Sequence, residues 1–280
     1  MITFEFLGSL GRLGNQMFQI ASTIGIAKKS NIEYFFPNWE YQEFFTKNLP
    51  YKDLRAEARL MEGLCDYRDT NIPNDKIYHI HGYLQSHKYF DNYKEEILSY
   101  FEPKPEYLEY IHNNYSGIQN KTSIHVRRAD YIVLQHYHTL LPIDYYRQAI
   151  ELIGNNGEFL VFSDDIDWCK NNFQEFNCEY VEERPHKKEN IEVFEEYIKG
   201  ADSRMYKRQD IIELFLMSMC QNNIIANSSY SWWAAYLNKN EEKKIISPRE
   251  WFTPQRAAQL HKNKENYIHD RIPKEWTLLP

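Results

Sequence analysis

The chain has 280 residues, and its 33 lysines and arginines against 40 aspartates and glutamates give a formal net charge of −7. This length supports a large core, which we expect to be divided between two domains. The acidic balance argues against a nucleic-acid-binding protein, because such proteins usually present a basic surface. No stretch approaches the roughly 18 consecutive apolar residues of a membrane span, and the amino terminus resembles a strand rather than a signal peptide. We therefore expect a cytoplasmic protein, with peripheral association at the inner face of the cell membrane as the alternative.

The cysteines and histidines do not indicate a metal centre. The four cysteines have no C-x-x-C spacing and are expected to be reduced, structural thiols: Cys65, Cys169, Cys178 and Cys220. His79 and His81 would share one face of a strand, but no nearby Cys, Asp or third His completes a ligand set. A packed or exposed histidine pair is therefore the better interpretation.

The chain begins with a predicted strand, a glycine loop and a helix. The strand covers residues 2–7 and the helix covers residues 17–29, where apolar residues follow helical spacing. The glycines of the loop are three residues apart, so they do not form the dinucleotide fingerprint G-x-G-x-x-G. The loop could bring backbone amides, the helix start and the side chains of Asn15 and Gln16 close to a polar ligand. A tight structural turn is an equal alternative.

The rest of the first half is less regular. Strands are predicted at residues 32–36 and 77–86, the second including its exit loop, and a helix is predicted at 88–101. An aromatic, irregular region separates the two strands. Prolines and a turn-rich stretch place a boundary between two halves within residues 102–121.

The second half repeats the order strand, polar loop, helix. The predicted strands are 122–126, 158–162, 177–182, 223–226 and 245–248. The predicted helices are 143–153, 166–172, 210–221 and 231–237. A charge-dense excursion at 183–209 is expected to be a solvated loop or short helix, and a polar tail follows residue 252.

Three of these strands end in polar loops that would meet at one edge of a parallel sheet. The loop residues that could bind a ligand are Arg127, Arg128, Asp130, Ser163, Asp164, Asp165, Asn227, Ser228, Ser229 and Ser231. Guanidinium groups offer planar donor forks that match phosphate oxygens, and serines at a helix start add further donors. The carboxylates could accept from ribose hydroxyls or from N–H groups of a base. This chemistry predicts a nucleotide-diphosphate pocket without a P-loop, although an isolated Arg-Arg-x-Asp would indicate only a surface salt-bridge cluster.

Five blocks of sequence, taken in order and spacing, resemble those of the bacterial α-1,2-fucosyltransferases of glycosyltransferase family 11. The blocks are GRLGNQMFQ at 11–19, GYLQS at 82–86, HVRRADY at 125–131, FSDD at 162–165 and ANSSYSWW at 226–233. The resemblance extends over nearly the whole chain. It implies an α/β fold of the GT-B type with two Rossmann-like halves and a cleft between them. Residues 1–115 would form the acceptor-side domain and 116–280 the domain that binds GDP-fucose.

The resemblance also implies an activity. The enzyme would move L-fucose from GDP-fucose to the 2-hydroxyl of a terminal galactose, with inversion and with no required metal or other cofactor. The acceptor would be a glycan of the O-antigen or lactose type. Asp164 and Asp165 do not have the spacing of a D-x-D metal motif.

The family motif His-x-Arg-Arg-x-Asp assigns roles to residues of the central loop. It falls on His125, Arg127, Arg128 and Asp130, and Arg127 would lead the contact to the diphosphate. The resemblance implies a second group at the acceptor side or cleft, made of Asn15, Gln16, Gln85 and Tyr131. Two departures from the common family pattern are Ala129, where many members have glycine, and Arg12 in the opening loop.

Two questions stay open at the level of sequence. The general base could be Asp130 or His125, and a carboxylate that only orients Arg127 would give the same sequence. A non-catalytic GDP-sugar-binding or carbohydrate-binding protein could use the same pocket. The intact arginine-aspartate loop favours the enzyme, because binding alone does not need it.

Overall fold

A computed structural model describes residues 1–61, 66–154, 156–182, 203–260 and 264–280 of the chain. Cys65 and most of the predicted charged excursion lie outside the described residues. The chain divides into two compact units, Met1–Lys104 with Ala258–Lys274 and Pro105–Ala257 with Glu275–Pro280.

The described residues form the following strands and helices. The strands are β1 (Ile2–Thr3), β2 (Tyr34–Phe35), β3 (Ala58–Met61), β4 (Tyr78–His81), β5 (Thr122–Val126), β6 (Phe159–Ser163), β7 (Cys178–Tyr180), β8 (Asn222–Ile224), β9 (Ile245–Pro248) and β10 (Thr277–Leu279). The helices are α1 (Leu13–Lys29), α2 (Lys94–Leu98), α3 (Pro105–Asn114), α4 (Ala129–Val133), α5 (Ile143–Ile153), α6 (Ile166–Asn172), α7 (Ser203–Ser218), α8 (Ser229–Leu237), α9 (Pro254–Leu260) and α10 (Lys264–Arg271). Short 3-10 helices lie at Gln42–Phe44, His87–Tyr89, Asp91–Tyr93, Ser99–Phe101 and Ile118–Asn120.

The first unit is built on a four-stranded parallel sheet in the order β2-β1-β4-β3. Helix α1 is buried along most of its length and packs beside β1 and β2. Its backbone approaches the segment 87–93 so closely that a Cβ added at Gly25 would lie 2.0 Å from the carbonyl oxygen of Tyr89. Because β1 and β4 are neighbours in space but distant in sequence, the loops that follow them flank the point where the strand order reverses.

The second unit holds a six-stranded parallel sheet in the order β7-β6-β5-β8-β9-β10. Counted from β5 this is the order 3-2-1-4-5-6 of a Rossmann sheet, which reverses between β5 and β8. Its core joins apolar residues of the central strands to helices α5 and α6, including Ile124, Val126, Tyr146, Val161 and Ile224. Sheets of this kind bind ligands outside the carboxyl ends of the strands, at the point of reversal.

The structure corrects several predicted elements. The first strand ends at Thr3 because the N–H groups of Leu7 and Ser9 bond back to nearby carbonyls in turns. The predicted helix at 88–101 is instead a series of 3-10 turns around the short helix α2. Strand β3, helix α3 and the elements α9, α10 and β10 were not predicted. Strand β5, helices α5 and α6, and strand β9 have the predicted bounds.

The two units also differ from the predicted division after residue 115. Helix α3 packs against α7 and so belongs to the second unit. The segment Ala258–Lys274 belongs to the first unit, where α10 contacts the 3-10 turn His87–Tyr89. A contribution from so late in the chain had no signature in the local sequence pattern.

Candidate active site

Arg127 lies at the carboxyl end of the central strand β5, between two carboxylates. Val126 and Ser163 are paired in the register of β5 and β6, so the residues that follow, Arg127 and Asp164, emerge side by side. The Nη1 atom of Arg127 lies 3.0 Å from Oδ2 of Asp164, and Nη2 donates to Oδ2 of Asp130 at 2.7 Å. The loops that follow β5 and β6 therefore meet at one edge of the sheet.

These two carboxylates keep Arg127 charged in a poorly solvated place. Only 17% of its side chain is exposed, and burial by itself disfavours the charged guanidinium. The attraction of Asp164 and Asp130 outweighs that burial, so the pKa of Arg127 is raised above its ordinary value. The group is therefore a permanent, oriented cation.

Arg128 is held by the neighbouring loop. Its backbone N–H donates to Oδ1 of Asp164 at 2.8 Å, and its Nε donates to Oδ2 of Asp165 at 3.2 Å. The guanidinium carbon lies 4.1 Å from the centre of the Trp168 ring, a cation–π contact. Sequence reasoning missed Trp168, although its place in the first turn of α6, three residues after the capping Asp165, was a usable signal.

Tyr131 is part of the support beneath this loop. It is 7% exposed, and its hydroxyl donates to the carbonyl oxygen of Asn227 at 2.9 Å. Its ring stacks on that of His138, with centroids 4.3 Å apart and an angle of 3° between the planes. Burial lowers the pKa of His138 to about 4, so this ring is neutral at neutral pH. The predicted cleft residue therefore has a clear packing role.

Asn227 also makes internal contacts. Its side-chain amide donates to the carbonyl oxygens of Thr139 and Trp251 at 2.8 and 2.9 Å. These bonds tie the exit of β8 to the segments that flank α4 and α9. Its predicted role in donor binding stays a prediction.

The predicted serines cap or pack the turns at this edge. Ser228 is the N-cap of α8, and Ser229 begins that helix. Ser231 is fully buried and its hydroxyl lies 3.4 Å from the carbonyl oxygen of Ser228. Ser163 accepts from the backbone N–H of Asp165 at 2.8 Å. The serines thus shape the loops, and their contacts to a donor stay a prediction.

His125 is buried within β5. It is 7% exposed, and its ring centroid lies 5.8 Å from that of Tyr230. The hydroxyl of Tyr230 donates to the carbonyl oxygen of Asp210 at 2.6 Å, which fixes the ring. Burial of this depth fits a supporting residue at least as well as a base.

Three of the four predicted acceptor or cleft residues, Asn15, Gln16 and Gln85, lie in the first unit. Nε2 of Gln85 donates to Oδ1 of Asn15 at 2.6 Å. Gln16 is 5% exposed and spans the loop, since it donates to the Gly11 carbonyl at 3.0 Å and accepts from the indole of Trp39 at 2.8 Å. Asn15 and Gln85 therefore form a pair, while Gln16 makes internal contacts.

No group of three His, Cys, Asp or Glu side chains in the described part of the chain is placed to hold a metal ion. His79 is buried and packs edge to face against Phe6, with its ring centroid 5.8 Å from that of His81. The structure thus shows a packed histidine pair. The expectation that no metal is required stays a prediction.

The sequence of this chain matches the family described as Glycosyl transferase family 11 over residues 1–277. The chain belongs to glycosyl transferase family 11. It is 37% identical to the O-antigen biosynthesis glycosyltransferase WbnK of Escherichia coli over 256 residues, which cover 87% of this chain and 70% of that protein. It is 29% identical to an alpha-1,2-colitosyltransferase of Escherichia coli over 202 residues, 70% of this chain and 60% of that protein.

The fold resembles that of a solved fucosyltransferase. The NodZ alpha-1,6-fucosyltransferase soaked with GDP-fucose has a TM-score of 0.50 and 10% identity, with 83% of this chain and 90% of that chain covered; NodZ comes from Bradyrhizobium. This likeness confirms the predicted α/β fold of the GT-B type. In the described part of this family 11 chain, no helix is long and apolar enough to span a bilayer.

Proposed function

We propose that this glycosyltransferase is an inverting α-1,2-fucosyltransferase, a galactoside 2-alpha-L-fucosyltransferase that uses GDP-fucose and a galactose-terminated glycan. The observation that carries the proposal is the Arg127 guanidinium, held between Asp130 and Asp164 where the Rossmann sheet reverses its strand order. A fixed cation at that place suits a sugar diphosphate.

The reaction explains why fixed cations are needed. As the bond between the fucosyl anomeric carbon and the β-phosphate oxygen breaks, negative charge grows on the leaving diphosphate. Arg127 and Arg128 would stabilise that charge without reorganising, because carboxylates already orient both side chains. The 2-hydroxyl oxygen attacks the opposite face of the anomeric carbon, a base takes its proton, and GDP leaves, so the configuration inverts. In this proposal the arginines do the work of a metal ion, and no metal is required.

Asp130 and His125 remain the candidates for the base, and the structure gives Asp130 a second task. Its Oδ2 already accepts from Arg127 at 2.7 Å, so it orients the cation whether or not it takes a proton. The pH–rate profile of Asp130→Asn separates the roles. A lost base removes the acidic limb of the profile, whereas a lost orienting group lowers the rate at every pH and keeps its shape.

The relatives support the linkage and broaden the choice of donor. One is named an alpha-1,2-colitosyltransferase and another an O-antigen biosynthesis glycosyltransferase. We therefore place an O-antigen-type galactoside first among acceptors, with lactose-type acceptors second. A donor that carries colitose instead of fucose is the second candidate function.

The proposal is tested by GDP release from GDP-fucose, with and without EDTA, across a panel of terminal β-galactosides that includes lactose. NMR of the product distinguishes a 1,2 linkage from the 1,6 linkage in the name of NodZ. Acceptor-dependent, EDTA-resistant formation of an α-1,2 product supports the proposal. Release only with a colitose donor favours the second candidate, and GDP binding without turnover of any donor favours the non-catalytic binding protein.

A further inference from the structure

Three polar residues of the first unit, Arg271, Gln85 and Asn15, are joined in series by side-chain hydrogen bonds. Nη2 of Arg271 donates to Oε1 of Gln85 at 2.9 Å, and Nε2 of Gln85 donates to Oδ1 of Asn15 at 2.6 Å. Arg271 is 1% exposed and Gln85 is 7% exposed, so water does not compete strongly for these bonds. Arg271 lies in α10, a part of the chain for which the sequence predicted neither structure nor function.

The guanidinium of Arg271 determines the direction of both hydrogen bonds in this series. Arginine has only donors, so Gln85 must turn its oxygen toward Arg271 and its NH₂ group toward Asn15. Asn15 must then turn its side-chain oxygen toward Gln85. Its side-chain nitrogen is therefore the donor at the end of this series of hydrogen bonds. Burial lowers the pKa of Arg271 to about 9, still well above neutral pH, so the group stays charged and the direction stays defined.

The donor end lies beside the point where the first sheet reverses its strand order. Asn15 is in the first turn of α1, which follows β1, and Gln85 is in the loop that follows β4, the spatial neighbour of β1. Leu84 has φ of +52°, a left-handed conformation that a bulky residue rarely adopts. Such strain persists where the surroundings impose it, and it is frequent at functional sites. In this place it aims the next side chain, Gln85.

Two further features hold this hydrogen-bonded series in place. The backbone carbonyl of Asp270 accepts from Ser86 at 2.6 Å, and its carboxylate accepts from the Tyr67 N–H at 2.8 Å, so the end of α10 is fixed against the loop. At the other end, a Cβ added at Gly11 would lie 2.2 Å from Nδ2 of Asn15. Glycine at this position therefore leaves the space that the Asn15 amide occupies.

We propose that Arg271 is a positioning residue that, through Gln85, makes Asn15 a hydrogen-bond donor to a hydroxyl oxygen of the acceptor sugar. The inference rests on the proposed function, because it takes the ligand of this loop to be the acceptor galactoside. The sugar hydroxyl oxygen would accept a hydrogen bond from the Asn15 amide. The proton of that hydroxyl would then point away from Asn15. Arg271 does not touch the sugar.

Gln85→Glu tests the direction of the bonds with almost no change in shape. Glutamate still accepts from Arg271, but it cannot donate to Asn15, so the Asn15 amide must turn its NH₂ group inward and present its oxygen to the sugar. We expect kcat/KM for the galactoside to fall by about 10-fold or more, as for a lost and reversed hydrogen bond. The dissociation constant for the same galactoside, measured by NMR titration without turnover, should rise in parallel. The dissociation constant for GDP should stay within twofold.

Matched variants separate this role from a structural one. Gln42→Glu makes the same change elsewhere in the unit, where Gln42 donates to the Lys47 carbonyl at 2.9 Å and accepts from the Leu49 N–H at 2.8 Å. It should lower Tm without changing galactoside kcat/KM. Arg271→Lys keeps a donor-only cation and should retain most of the wild-type kcat/KM, while Arg271→Gln allows either amide direction and should lose about as much as Gln85→Glu.

The outcomes are distinct. A folded Gln85→Glu variant with wild-type galactoside kcat/KM and binding overturns this inference and leaves the proposed function intact. Equal losses in Gln85→Glu and Gln42→Glu also overturn it, because they indicate general destabilisation. A wild-type chain that neither binds nor turns over any galactoside overturns the proposed function together with this inference, and it is recognised before any variant is made.

Discussion

Removal of the Arg127 guanidinium is the sharpest test of the site. In Arg127→Ala the leaving diphosphate loses a preorganised donor, and removal of one such donor typically lowers kcat by about 10²–10³-fold. The effect should be in this range because the side chain is held at both ends of its fork, at 2.7 Å and 3.0 Å, and is only 17% exposed. The assay is release of GDP from GDP-fucose at saturating galactoside, together with the GDP dissociation constant from calorimetry.

The same change has a stability cost that must be measured separately. It leaves Asp130 and Asp164, with side chains 30% and 17% exposed, close together without their shared cation. Loss of one partner costs about 3–5 kcal/mol for a fully buried pair and less than about 1 kcal/mol for an exposed one, so about 1–3 kcal/mol is expected here. At roughly 2–4 °C for each kcal/mol, Tm should fall by several degrees while the protein stays folded at 25 °C.

Arg147→Ala is the matched control. Arg147 lies in the same unit and its Nε donates to Glu175 at 2.9 Å, but its side chain is 48% exposed and lies on α5. Its loss should change neither kcat nor GDP affinity. Arg127→Lys, which keeps the charge without the fork, should fall between wild type and Arg127→Ala. A folded Arg127→Ala enzyme with kcat within threefold of wild type would refute this role for Arg127.

Three further predictions concern stability and reactivity. The folded-state pKa of His138 is about 4, below its ordinary value of 6.5, so the unfolded chain binds more protons between these pH values. The stability of the protein should therefore fall as pH drops from about 6.5 to about 4. Thermal melts of His138→Phe over the same range should show a smaller fall in stability. Tyr145→Phe removes a buried hydroxyl that donates to the carbonyl oxygen of Ile225, just after β8, at 2.6 Å. Chemical denaturation should therefore show a loss of about 1–2 kcal/mol with unchanged kcat. Burial raises the pKa of three thiols to about 12, those of Cys169, Cys178 and Cys220. Mass spectrometry after alkylation of the native protein should therefore find them largely unmodified. Rapid labelling of any of the three would contradict this prediction.

The central site could be predicted because its geometry follows from strand ends. Residues 122–126 were predicted as a short strand that runs into the arginine loop, and the register of β5 with β6 then brings Arg127 and Asp164 together. The sequence could not specify how the carboxylates are used. It suggested that Asp164 and Asp165 accept from a ligand, whereas here their oxygens hold Arg127 and Arg128. That choice depends on side-chain packing, which a residue pattern does not encode.

Contacts between distant segments were out of reach for the same reason. Arg271 and Gln85 are separated by 186 positions, and the tail that carries Arg271 has no apolar periodicity that would place it in the first unit. The short strand β3 and helix α3 were missed because irregular, charged surroundings hide elements of this length. Tertiary packing, rather than local propensity, decides such segments.

Under the proposed function, the charge balance of the central site would let it both bind and release the nucleotide. Three carboxylates, Asp130, Asp164 and Asp165, surround two guanidinium groups. They hold the arginines in a defined orientation, and they would compete with the diphosphate of the proposed donor for the same N–H groups. Negative charge develops on the leaving group as the bond breaks, so the arginines would stabilise the transition state, while the carboxylates would limit how tightly free GDP is held. An arginine pair without such neighbours would bind GDP more strongly and would release it more slowly, since tighter binding of a product acts mainly on its dissociation rate.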